Sequence, residues 1–273
     1  MFEPGVMFWA ERDKLEMALS LGVRYGQLGI PGGMQLNDTV AANWKSALEA
    51  AGFTLVTVFA AYEGENYADI PSVARTVGFI PPDTRDARLT RTLAVSDFAA
   101  QLGVPSIACH VGFVPEDAQH LDYVAVREMV RRVCDHAAGH GQSFALETGQ
   151  EPAEVLLRFI RDVDRANLRI NFDPANLILY GSGEPIAALE TLAPLVISVH
   201  CKDGDWPAPG VKGVLGKERP LGKGSVGITR FVETLRKVGF GGPLNVEREA
   251  DNQQERIRDL AEGVGLLRAL VEV

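Results

Sequence analysis

The stretch VISVHCKDGDW, residues 196–206, opens as a buried strand and ends in a crowd of ionisable side chains. On a strand successive side chains alternate between two faces, so Ile197, Val199 and Cys201 share one face and Val196, Ser198, His200 and Lys202 the other. Both faces of a parallel strand are buried, so a polar face here means a lined interior rather than a wet one.

The same split recurs along the chain. Phe144 and Leu146 oppose Ser143, Ala145 and Glu147, and Ile170 and Phe172 oppose Arg169, Asn171 and Asp173. Leu244 and Val246 oppose Asn245 and Glu247, while Ile107, Cys109 and Val111 oppose Ser106, Ala108 and His110. Strands are expected over 5–9, 25–30, 54–60, 105–111, 143–148, 169–173, 196–201 and 243–247, each followed by an amphipathic helical stretch. At 273 residues this gives about 34 residues per strand–helix unit, and eight such units close most economically into one α/β fold, a single (β/α)8 TIM barrel covering residues 1–273. A doubly wound open sheet is the alternative. In a barrel the apolar face packs on the helix ring and the polar face lines the interior, with its last member at the C-terminal mouth. Two connections are long, 61–90 after the third strand and 202–226 after the seventh; both belong at that mouth, as lids or as contacts of a homo-oligomer.

Glu147, Asp173, His200 and Glu247 are the last inward residues of strands five to eight, spaced by 26, 27 and 47 residues, the last interval being one unit lengthened by the 202–226 loop. Adjacent strands lie about 4.8 Å apart, so four ligand-type side chains arrive at one place. Three buried carboxylates do not stay ionised together without a counter-charge, and a divalent cation supplies it. Three carboxylates and one imidazole suit Mn2+, Mg2+ or Co2+, with Zn2+ also compatible.

Composition closes other routes. The formal charge is −9 with basic residues scattered, which argues against nucleic acid as a partner. No run of eighteen or more apolar residues argues against a membrane span, and the early charges of MFEPGVMFWAERDK against a signal peptide; a cytoplasmic protein is expected. Cys109, Cys134 and Cys201 fall in no metal or disulfide spacing. Cys109 and Cys201 alternate outward, toward the helices.

FALETGQE, INFDPANLILYG, SVHCKDGDW, PLGKGSVGI and LNVERE together resemble the xylose isomerase-like TIM barrels, the sugar isomerases and epimerases that include ketose 3-epimerases and hydroxypyruvate isomerase. The resemblance runs from about residue 5 to 265 and is sharpest over 143–249. It implies one divalent metal, Mn2+ first, held by Glu147, Asp173, His200 and Glu247, the same set reached from strand parity. It also implies that Glu147 and Glu247 are catalytic, moving a proton beside a carbonyl through a metal-stabilised enediolate. The chain departs from the ketose 3-epimerases at Asn176, where they carry His, and at Trp206, where they carry Arg.

The expected ligand is a small sugar or sugar phosphate, with His110, Lys202, Gln150 and Trp206 as substrate-binding residues and the glycine-rich 221–227 as a candidate phosphate loop. Three functions stay open: a metal-dependent isomerase or epimerase; a lyase, dehydratase or keto-sugar deglycosidase using the same groups; and a non-catalytic sugar-binding protein.

Overall fold

The structure is a computed structural model that describes residues 2–272. Strands β1 (Pro4–Trp9), β2 (Tyr25–Ile30), β3 (Thr54–Ala60), β4 (Ser106–Cys109), β5 (Ser143–Glu147), β6 (Leu168–Phe172) and β7 (Val196–Cys201) are followed by a hairpin, β8 (Asp203–Asp205) and β9 (Lys217–Arg219), and by β10 (Leu244–Val246). The first seven and β10 form a closed parallel barrel in which β10 pairs with both β7 and β1. Eight helices sit between or after these strands as their periodicity predicts: α1 (Arg12–Ser20), α2 (Asp38–Ala51), α4 (Arg85–Leu102), α5 (Leu121–Gly139), α6 (Ala153–Val163), α8 (Pro185–Leu192), α9 (Ile228–Lys237) and α10 (Gln253–Val271). Two shorter helices, α3 (Ile70–Thr76) and α7 (Pro174–Tyr180), lie in stretches expected to be irregular. No helix among the described residues is long and apolar enough to cross a membrane.

The expected division of faces governs the packing. Ile107, Cys109, Phe144, Leu146, Ile170, Phe172, Val199, Cys201, Leu244 and Val246 all join the buried core between strands and helices. Fully burying side chains of this size contributes about 1.5–3 kcal/mol each, so this layer dominates the stability of the barrel.

One parity expectation is corrected. Ile197 packs with Met7, Trp9, Phe59, Ala108 and Ala145 in the small inner cluster, whereas Val196 joins the outer core. Between β6 and β7 the register slips, from Ile170 opposite Val196 to Asn171 opposite Ser198, and an extra residue on one strand reverses the side-chain alternation before it. From Ser198 onward the expected alternation holds, so His200 still points inward.

Both long connections are built rather than loose. In the first, the Glu65 carboxylate accepts the N–H groups of Tyr62 and Gly78 at 3.2 and 2.9 Å, and α4 begins at Arg85, ahead of the expected start, after a 3-10 turn over Pro82–Thr84. The second carries the β8–β9 hairpin, and Ile70 N–H donates to Gly213 O at 3.0 Å, so the two connections meet over the mouth.

Candidate metal centre

Glu147 closes β5, and the next residue, Thr148, ties it to its neighbour: the Thr148 hydroxyl accepts Asp173 N–H at 2.8 Å and donates to Asp173 O at 2.9 Å. Asp173 lies just beyond β6 and caps α7, its Oδ1 accepting the N–H groups of Ala175 and Asn176 at 2.7 and 3.1 Å. Pro174 in the first turn and Gly181 after the last complete the start and stop of that helix. Capping uses one carboxylate oxygen and aims the other, Oδ2, into the barrel. His200 sits near the end of β7, and Glu247 N–H donates to Cys201 O at 3.1 Å, extending the ladder past β10.

These four side chains converge. His200 Nδ1 lies 2.5 Å from Glu147 Oε1, 2.9 Å from Glu247 Oε2 and 3.9 Å from Asp173 Oδ2. One donor atom from each residue falls within 4.8 Å of every other. Glu147, Asp173 and His200 are buried and Glu247 nearly so. Asp173 Oδ2 is buried with no hydrogen bond, and Glu247 Oε2 is met only by the ion-pair contacts of His200 Nδ1 at 2.9 Å and Lys202 Nζ at 3.5 Å. A buried carboxylate oxygen without a hydrogen bond is costly unless something else meets it, and Asp173 Oδ2 beside two more carboxylates and an imidazole nitrogen fits a divalent cation. The far side of the imidazole agrees: His200 Nε2 faces Gln27 Oε1 at 3.1 Å, the outer contact to a carbonyl oxygen that orients a metal-bound histidine.

The four groups share one electrostatic field. Burial alone would raise Glu147, but His110 and His200 outweigh it and hold this carboxyl well below its usual range. Glu247 follows the same balance, burial opposed by His200 and then Lys202, and comes down to about 2. Asp173 goes the other way: burial pushes it up to about 8, Lys202 resists, and Glu247 and Glu147 add to the rise. For His200, burial favours the neutral ring, and the carboxylates of Glu247 and Glu147 override it and raise the imidazole well above its ordinary value.

Of the residues expected to touch substrate, His110 and Lys202 line the mouth, and Gln150 lies buried behind them, off the cavity wall. His110 follows β4 and donates from Nε2 to Glu147 Oε2 at 2.7 Å. Lys202 Nζ is 3.5 Å from Glu247 and from Glu249 and 3.9 Å from Asp173. Gln150 Nε2 lies 3.4 Å from both His110 Nδ1 and the Tyr180 hydroxyl. Trp206 does not join them: the hairpin begins at Asp203, carries the chain outward, and leaves the indole 45% exposed and off the cavity wall. Above the four converging side chains is a cavity of 290 Å³ whose wall includes Met7, Trp9, Phe59, Tyr67 and Tyr180 along with Glu65, Glu218 and Glu249.

The glycine-rich 221–227 has a different use from the phosphate cradle expected of it. Its amides are already taken, since Asp203 Oδ2 accepts the N–H groups of Gly222 and Gly224 at 2.9 and 3.0 Å and Oδ1 accepts Val226 N–H at 3.1 Å. A Cβ at Gly224 would fall 2.4 Å from Asp203 Oδ1, so the glycine is there to let this carboxylate in.

Several contributors escape strand-end reasoning. Gln27, in the middle of β2, and Asn171, in β6, lie directly beneath the four converging side chains; Asn171 Nδ2 reaches His200 Nδ1 at 3.3 Å and Glu147 Oε1 at 3.4 Å. A lone amide on an inward position of a glycine-rich strand, as in YGQLGI, is the signal that marks Gln27. Tyr67, Tyr180 and Glu249 come from loops and a short helix, where strand parity is silent.

Comparison with known proteins matches this architecture. A family model described as xylose isomerase-like TIM barrel matches residues 15–270. The crystal structure of a xylose isomerase domain protein from Planctomyces limnophilus superposes with a TM-score of 0.95 at 41% identity, covering 98% of this chain and 97% of that one. A D-tagatose 3-epimerase-like protein shares the fold at 17% identity and a TM-score of 0.75, over 98% and 97% of the two chains. So does a xylose isomerase-like TIM barrel protein from Mycobacterium smegmatis, solved in complex with magnesium, at 16% identity and 0.70 over 94% and 87%. Among curated sequences, an uncharacterized protein of Methanocaldococcus jannaschii is 25% identical over 121 residues, a match spanning 44% of this chain and 37% of that protein. With a closed eight-stranded barrel and a family match over nearly all of its length, the chain belongs to the xylose isomerase-like TIM barrel family.

Proposed function

We propose that this protein is a divalent-metal-dependent isomerase or epimerase acting on a small, uncharged sugar. The observation that carries the reading is the convergence of Glu147, Asp173, His200 and Glu247 beneath a cavity, one donor atom of each within 4.8 Å of every other and Asp173 Oδ2 buried without a hydrogen bond. These four residues would hold the ion, and the oxygen-rich donor set favours Mn2+, Mg2+ or Co2+. When bound, the ion supplies the positive charge against which negative charge on a hydroxy-ketone or hydroxy-aldehyde is stabilised.

The chain's own groups do the rest. One of Glu147 and Glu247 takes the proton from the carbon beside the carbonyl and the other returns it, to the opposite face for an epimerase or to the neighbouring carbon for an isomerase; proton transfer of this kind contributes roughly 10²–10⁴-fold. His110 holds Glu147 Oε2 in place and keeps that carboxylate ionised, ready to act as a base. Lys202 stands on the cavity wall where it can bind a substrate hydroxyl, Gln150 backs His110 and Tyr180 from beneath, and the aromatic wall of Trp9, Phe59, Tyr67 and Tyr180 excludes water.

Two features favour an uncharged substrate over a phosphorylated one. The amides of 221–227 are spent on Asp203, and the cavity wall sets five carboxylates, Glu65, Glu147, Glu218, Glu247 and Glu249, against His110 and Lys202. The test is proton NMR in D2O with the Mg2+-loaded enzyme and a panel of ketoses, ketose phosphates and keto-glycosides. Loss of the signal beside the carbonyl of a free ketose, followed by its epimer or aldose, supports the reading. Release of water or an aglycone points instead to a lyase or deglycosidase, and binding with no exchange to a sugar-binding protein.

A further inference from the structure

A second cluster of ligand-type side chains sits far from the mouth. His136 and His140 are four residues apart at the C-terminal end of α5, a spacing that places both rings on one side of a helix. Asp97 reaches them from α4. His136 Nε2 lies 2.6 Å and His140 Nε2 2.8 Å from the same oxygen, Asp97 Oδ1, with ring centroids 5.3 Å apart and planes at 72°. His140 comes three residues before β5, so the cluster belongs to the end of the barrel opposite the ligands of the candidate metal centre.

The frame around it is fixed. Ser96, next to Asp97, donates to Gln142 Oε1 at 2.7 Å, and Gln142 Nε2 donates to Val104 O at 3.0 Å, tying α4 to the turn that leaves α5. The three side chains themselves are 32%, 35% and 49% exposed, open enough for an ion and water to enter. Two imidazole nitrogens and a carboxylate oxygen, with water as the fourth ligand, make a tetrahedral set for Zn2+. Metal–donor lengths of about 2.0–2.2 Å require donors about 3.3 Å apart, so the rings and carboxylate need to separate by about 0.5–0.7 Å, a movement that partly exposed side chains accommodate.

We propose that Asp97, His136 and His140 form a second cation site, selective for Zn2+ or a similarly nitrogen-preferring ion, which clamps α4 to α5. Its donor balance differs from that of the mouth. Two nitrogens and one oxygen favour Zn2+, Ni2+ or Cu2+, whereas one nitrogen and three carboxylates favour Mn2+ or Mg2+.

The test compares full-length wild type with His136→Gln/His140→Gln, both loaded with Mn2+ and then dialysed against micromolar Zn2+. Bound metal is measured, and melting temperature with and without Zn2+. The wild type should bind one more equivalent of Zn2+ than the double variant and gain thermal stability from it, while Mn2+ content is equal in the two. Should the double variant fold poorly, Asp97→Asn keeps both imidazoles and should lose the same equivalent. Equal Zn2+ content and an equal Zn2+-dependent melting shift in wild type and variants would overturn the proposal.

Discussion

Deep in the barrel, Thr57 and Ser106 share a hydrogen bond of 2.9 Å, and Asn171 Oδ1 accepts from Gln27 at 3.0 Å and from Ser198 at 2.6 Å. All of these groups are neutral, and of the residues in this layer only Asn245 retains an unpartnered side-chain oxygen. At the mouth the side chains are charged, and the Asp173 Oδ2 oxygen is buried without a hydrogen bond among three carboxylates and an imidazole. The floor is satisfied but for the Asn245 oxygen, whereas the mouth gathers three carboxylates that the proposed cation would complete. A polar interior therefore serves two ends in one barrel: a satisfied layer holds the strands in register, and an unsatisfied layer above it marks where chemistry is added.

The largest effect that sharpens this contrast is on turnover. Glu147→Gln and Glu247→Gln keep an oxygen for the ion but lose the base, so each should retain much of its metal and lose about 10²-fold or more of its rate on a confirmed substrate. The two losses need not match, and a variant that exchanges substrate hydrogen with D2O without forming product would identify which glutamate acts first. Near wild-type turnover by both variants would break the two-glutamate account.

Chelation comes next. A site that binds only the folded chain stabilises it by mass action, by about 2.7 kcal/mol at a hundredfold excess over Kd, so EDTA should lower the melting temperature of the wild type and have far less effect on Asp173→Asn. An equal EDTA effect on both would place the stabilising ion elsewhere.

Glu151, in the loop after β5, shows a third treatment of a buried carboxyl. Its Oε1 accepts Val114 N–H at 2.7 Å, its Oε2 has no partner, and burial pushes it up to about 7 against the pull of that N–H. An unfolded glutamate titrates near about 4.3, so between about pH 4.3 and 7 the unfolded chain releases a proton that the folded chain keeps. Stability from this group is full below that window and is lost as pH rises through it. Glu151→Gln keeps an acceptor for Val114 and should flatten the fall, leaving the variant more stable above pH 7 by up to about 4 kcal/mol. Parallel pH–stability curves for the two proteins would contradict this.

The smallest effect belongs to the floor. Asn171→Ala leaves Gln27 and Ser198 without their shared acceptor and should cost about 1–3 kcal/mol in urea unfolding. If it costs nothing, the floor is not the satisfied scaffold described above.

How much of this was readable in the chain depends on how local each signal is. The barrel and the convergence of Glu147, Asp173, His200 and Glu247 are legible because each of these residues ends a strand whose alternation reports direction within a few residues, as in SFALE and VISVHC. Ile197 misleads because a register slip against β6 involves residues far apart in the chain. The role of 221–227 was hidden for the same reason, since its partner Asp203 lies about twenty residues away and nothing in LGKGSVG announces a carboxylate rather than a phosphate. Helix α7 had readable ends, Asp173-Pro174 and Gly181, but seven residues are too few to show helical periodicity. Trp206 follows a three-residue strand paired only within its own loop, and its outward placement depends on that pairing.

The central claim is that one cation completes the mouth, and anomalous diffraction from crystals grown with Mn2+ tests it most directly. One manganese peak is expected within bonding distance of Glu147, Asp173, His200 and Glu247, with His200 Nε2 still facing Gln27. A map with no peak there, and with the four side chains held apart, would contradict it.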